Sequence, residues 1–153
     1  MSKVVRKKTF SRILVAINDS SKAADKSVYY STRIAEDYDA LLVVLYVIRT
    51  QTDLDTATIP SHVIDFKKQA QVYLAKILEK IHKHNDTEII IKVKTDIIAS
   101  NKIADAIVNY AKDKRIDLII VGPRGISKLK SLVLGSVTSD VVRLANCPVL
   151  TVR

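Results

Sequence analysis

Residues 121–138 read VGPRGISKLKSLVLGSVT, and all 3 glycines of the chain, Gly122, Gly125 and Gly135, stand in this one stretch. The residues leading into it, DLIIVG at 117–122, form a short continuous apolar run, the pattern of a strand covered on both faces. Beyond it Val137, Val141 and Leu144 recur at helical spacing, with Ser136 in place to cap their helix. A strand, a glycine-bearing loop and a helix in that order are the working half of a βαβ crossover.

The same alternation extends outward along the chain. Continuous Val/Ile/Leu runs at 12–17, 40–48, 88–93 and 148–153 read as four further buried strands. Between them lie three more amphipathic stripes: Ala24, Val28, Ser31 and Ala35; Val63, Phe66, Ala70, Tyr73, Ile77 and Ile81; Ile103, Ile107, Tyr110 and Ala111. Asp19, Ser20 or Ser21, then Ser61, then Ser100 or Asn101 stand where these helices need caps. The order is βαβαβαβαβ. Right-handed crossovers turn it into a doubly wound, Rossmann-like α/β fold with one five-stranded parallel sheet. Residues 11–153 form that single domain, and residues 1–10 form a basic N-terminal arm.

Composition narrows the partners. The hydrophobic share of 48% and charged share of 27% are ordinary globular usage, which excludes disordered and fibrous classes. The apolar run at 40–48 is far short of the roughly 20 residues of a membrane helix, and no apolar segment of signal-peptide type follows the basic start. A single Cys147 allows no intrachain disulfide, so the expected compartment is the cytoplasm. The net charge of +9 favours polyanions in general, but no helix-turn-helix, zinc-finger or aromatic strand-binding pattern accompanies it. A solvated basic surface is expected rather than a nucleic-acid interface.

In an open parallel sheet, ligands bind beyond the carboxyl ends of the strands where the strand order reverses. Gly122 at a strand end permits close backbone approach, and Gly125 can adopt the positive φ of a sharp turn. The amides of Ser136, Val137 and Thr138 and the positive end of the last helix suit an anion, and the hydroxyls of Ser136 and Thr138 can add donors. Two other phosphate signatures are absent: there is no G-x-x-x-x-G-K-[ST], and AINDSS stands where G-x-G-x-x-G would follow the first strand. His62, His82 and His84 do not share a helix face as metal ligands at i and i+4 would, and no nucleophile pairs with a base. Tyr29 and Tyr30 point in different directions on their helix, so one is expected to pack and the other to face water.

The stretch from Val121 to the C-terminus, with G-x2-G-x9-G-[ST] met by Gly122, Gly125, Gly135 and Ser136, resembles the signature of the universal stress protein family. LGSV and NCPVL follow in register, and RILVAINDSSKAADKSVYYSTRIAEDYDALLVVLYVI is similar to the family's first strand, helix and second strand. The resemblance implies a pocket for ATP or AMP: Ile17, Asn18 and Val47 toward adenosine, and Val121, Gly122, Arg124, Gly125, Gly135, Ser136 and Val137 toward ribose and phosphates. Magnesium would be held mainly by those phosphates. It also implies a regulatory, stress-response homodimer joined through residues 148–153. Two departures stand out. Asn18 replaces the family's usual Asp, with Asp19 where Gly is common, and Ala99, Ser100 and Asn101 replace a glycine-containing turn. A nucleotide-free interaction protein of the same fold, a slow ATP hydrolase and a polyanion binder using the basic arm remain as alternatives.

Overall fold

The computed structural model describes residues 9–51, 61–83, 90–122 and 135–153. Five strands, β1 (Arg12–Ile17), β2 (Leu41–Arg49), β3 (Val93–Ser100), β4 (Leu118–Val121) and β5 (Val149–Thr151), alternate with four helices, α1 (Lys22–Tyr38), α2 (Ser61–Lys83), α3 (Ile103–Asp113) and α4 (Ser136–Leu144). All pairings are parallel, in the order β3-β2-β1-β4-β5. The chain winds from β1 to β3 in one direction and from β4 to β5 in the other. The order therefore reverses between β1 and β4, and that gap is the switch point.

Side chains of a strand alternate between faces, and β1 divides its apolar residues accordingly. Ile13, Val15 and Ile17 join α1 and α2 in one core cluster, while Leu14 and Ala16 join α3 and α4 in the other. Ile13, Leu14 and Val15 are fully buried, each worth about 1.5–3 kcal/mol in area removed from water. The stripe of α1 buries Ala24, Val28, Ser31 and Ala35 as expected. In α2 the stripe holds at Val63, Ala70, Ile77 and Ile81, but Phe66 is half-exposed beside the His62 ring. Phe10 packs edge-on against Tyr38 and onto the first cluster.

Several expectations are corrected. The third strand lies at Val93–Ser100, not at 88–93. It is an edge strand, so Lys94, Thr95 and Asp96 are exposed and break the continuous apolar run that marks a central strand. Of the earlier run, Ile90 is exposed and Ile91 is buried ahead of β3, while residues 88 and 89 lie outside the described residues. Ala99 and Ser100 consequently belong to β3 rather than to a turn.

Ser21 does cap α1, accepting from the Ala24 amide, while Asp19 Oδ1 accepts from the Ser21 amide. Elsewhere the caps shift. Ser61 and Ser136 are the first residues of their helices, Gly135 is the N-cap of α4, and Lys102 is that of α3. Ser100 Oγ instead accepts from the Lys102 amide just ahead of α3. Tyr29 and Tyr30 are both largely exposed, because α1 turns that side to solvent, and their rings meet edge to face.

Candidate functional site

Where β1 and β4 part at the switch point, a small hollow opens. It is walled by Ala16, Ile17 and Asn18 from β1 and its end, Val47 from β2, Val121 and Gly122 from β4 and its end, Ile103 and Ile107 from α3, and Val137 and Thr138 from α4. Seven of the residues expected from the sequence, Ile17, Asn18, Val47, Val121, Gly122, Val137 and Thr138, therefore meet in one place. Gly135 and Ser136 adjoin them as the N-cap and first residue of α4. Arg124 and Gly125 lie outside the described residues. Ala16, Ile103 and Ile107 are additions. In the sequence the two isoleucines carry only the signal of a core stripe, because nothing local tells that α3 leans over the strand ends.

The chemistry of the hollow is apolar and uncharged. The hollow holds about 30 Å³. Asn18, half-buried, brings one amide with both donor and acceptor capacity. No described lining residue is ionisable, and the described residues hold no group of three His, Cys, Asp or Glu able to grip a metal. Asp19, next to Asn18, turns its carboxylate back to the Ser21 amide.

The start of α4 supplies the polar edge. The first amides of a helix have no partner within it, and Gly135, buried and without a side chain, offers them no capping acceptor. They combine with the helix dipole to favour an anion. The expectation for Thr138 is corrected here. Its hydroxyl is buried and donates to the Gly122 carbonyl at 2.7 Å, so its proton is not free for a phosphate. Gly122 has no positive φ. Its lack of a side chain serves the approach of α1, since a Cβ there would stand 3.3 Å from Ser27 Oγ.

Outside the hollow, Cys147 packs partly buried against the second core cluster. Burial, and then the charge of Asp117, raise the pKa of the Cys147 thiol, partly offset by a backbone hydrogen bond at Ile119, so it stays protonated and poorly nucleophilic. His62 and His82 are surface residues, and His84 lies outside the described residues. No described helix is long and apolar enough to cross a membrane.

Comparison with known proteins agrees with this geometry. The model of the family described as "Universal stress protein family" matches residues 9–153. Universal stress protein YxiE of Bacillus subtilis (strain 168) is 37% identical over 150 residues, covering 94% of this chain and 99% of that one. Among solved structures, universal stress protein UspA from Lactobacillus plantarum superposes with a TM-score of 0.66 at 28% identity, covering 94% of this chain and 98% of its own. A universal stress protein from Archaeoglobus fulgidus, solved in complex with dAMP, shares the fold with a TM-score of 0.68 at 20% identity, covering 95% and 99%.

Proposed function

Because the chain belongs to the universal stress protein family, we propose that it is an adenine-nucleotide-binding regulatory module, taking ATP or AMP at the switch point. The observation that carries this reading is the convergence of three features at one spot. They are an apolar hollow at the reversal of strand order, a neutral amide at its rim, and the uncapped start of α4. Apolar walls suit the faces of a base, Asn18 suits its polar edge, and the amides of Ser136 and Val137 suit a phosphate. The dAMP complex of the Archaeoglobus fulgidus protein lends the same fold a precedent. Arg124 and Gly125 complete the binding set in this reading, and magnesium arrives on the phosphates, since no carboxylate stands among the described lining residues.

In the same reading residues 11–153 act as one cytoplasmic domain behind a basic arm at 1–10. Two copies pair through residues 148–153. Support for the pairing comes from β5, a short edge strand with Leu150 partly exposed. One observation favours a second reading, a nucleotide-free interaction protein. The hollow bounded by the described residues holds only about 30 Å³, little room for a base.

Thermal unfolding of ligand-stripped protein with ATP, ADP, AMP or GTP, each with and without magnesium, separates the two. A nucleotide at a hundred times its dissociation constant adds about 2.7 kcal/mol of stability. A midpoint raised by an adenine nucleotide and not by GTP supports the module. Gly125→Val should abolish that rise with a native far-ultraviolet spectrum. No shift with any nucleotide would sink the reading in favour of the second.

A further inference from the structure

We propose that Thr138 is a positioning residue that locks the two protein edges of the nucleotide site into one unit, an inference that rests on the reading above. Gly122 is the last described residue of the segment that ends β4, and Thr138 lies in the first turn of α4. The bond from Thr138 Oγ1 to the Gly122 carbonyl, 2.7 Å long, spans sixteen residues of sequence. It joins the β4 end to the α4 start, the two described edges expected to hold ribose and phosphates.

The geometry on both sides makes this junction stiff. Thr138 is 1% exposed and sits against the α3–α4 face, where Val141 and Val121 are fully or nearly buried. From the opposite face of the sheet α1 presses Ser27, itself fully buried, against Gly122. Ser27 Oγ gives its proton to the Ala23 carbonyl, so it buttresses Gly122 without bonding to it. Thr138 is thus the side chain that decides where the β4 end stands relative to α4. It also fills one of the two acceptor positions of the Gly122 carbonyl.

Thr138→Val removes the hydroxyl and keeps the shape, and Thr138→Ser keeps the hydroxyl. Two measurements read the outcome: equilibrium affinities for ATP and for adenosine, and amide hydrogen exchange without ligand. The exchange probes are the Val152 amide, bonded to the Val121 carbonyl, and the Ser139 amide, bonded to Gly135, with Leu42, bonded to Lys92, as a distant control. Thr138→Val should weaken ATP binding about tenfold, equivalent to one lost hydrogen bond, while adenosine binding falls much less. Exchange at Val152 and Ser139 should quicken with Leu42 unchanged, and Thr138→Ser should restore both readouts. Unchanged ATP affinity in Thr138→Val, or a serine variant as impaired as the valine one, would overturn the proposal. If the unsubstituted chain binds neither ATP nor adenosine, the nucleotide reading falls. The exchange rates then decide the junction alone, and equal rates in all three proteins reject it.

Discussion

The two ends of the β1–β4 pair are built from the same strands and do opposite things. At the amino end Asp117 closes the seam: its carboxylate accepts from the Ser11 and Arg12 amides at 2.8 and 3.2 Å, and its own amide donates to the Arg12 carbonyl. At the carboxyl end no described carboxylate enters, and the strands part over an apolar hollow with one neutral amide, Asn18. Polar groups at the first end satisfy one another, except Arg12 Nε, the buried side-chain donor without a hydrogen bond among the described residues. At the second end, amides at the start of α4 have neither an intrahelical partner nor a capping side chain. A carboxylate that is spent on its own backbone stabilises the fold. Donors left over at a strand-order reversal are available to a ligand.

Substitutions should separate these roles. The largest effect on stability is expected at the closed end. Asp117→Ala strands two backbone donors and should cost about 2 kcal/mol in a urea titration, with nucleotide affinity unchanged. Lost affinity with intact stability there would reverse the assignment of the ends. Next comes Gly122→Ala, where the new Cβ meets Ser27 Oγ at 3.3 Å; about 1 kcal/mol is expected. Pairing it with Ser27→Ala in a double-mutant cycle should show coupling of about 0.5 kcal/mol or more, and strict additivity would mean that α1 does not press on Gly122.

Asn18→Asp should shift stability by no more than about 0.5 kcal/mol, since the residue is half-buried at the rim rather than in the core. Its expected signature is in binding: a carboxylate at the rim should make ATP affinity depend on magnesium, where the native amide does not. Titrations with and without magnesium check this.

The smallest effect is expected from Tyr110, whose hydroxyl donates to Asp96 at 2.9 Å. Burial first, then that bond and the Asp96 charge, push its pKa up to about 12, with the Arg12 charge pulling the other way. The folded protein thus holds this proton more tightly than the unfolded chain, whose tyrosines titrate near about 10. Its contribution is fully present below pH 10 and is lost as the pH rises toward 12. Denaturation midpoints compared across that window should fall more steeply in the native protein than in Tyr110→Phe, and parallel slopes would contradict this.

Central elements were legible in the sequence because their physics is local. Ile13, Val15, Ile119 and Ile120 are covered on both sides and read as unbroken apolar runs. The β3 edge strand was misplaced because one of its sides faces water, so Lys94 and Asp96 stand where a central strand would carry valine. At the site, the residues at strand ends were legible from topology and glycine placement. Ile103 and Ile107 were not, because only the tilt of α3 brings a core stripe over the hollow. Thr138 showed its position but not its role: a hydroxyl beside an anion-binding helix start reads as a ligand donor until the Gly122 carbonyl is found beneath it.

The central claim is that the carboxyl end of the β1–β4 pair is the ligand end. The most direct measurement is a titration of ¹⁵N-labelled, ligand-stripped protein with ATP, followed by amide shift changes. The account predicts changes concentrated at Ile17, Asn18, Val47, Val121, Gly122 and Gly135 to Thr138, with Ser11, Arg12 and Asp117 unmoved. Saturable changes centred on Ser11 and Asp117, or none at the hollow at saturating ATP, would contradict it.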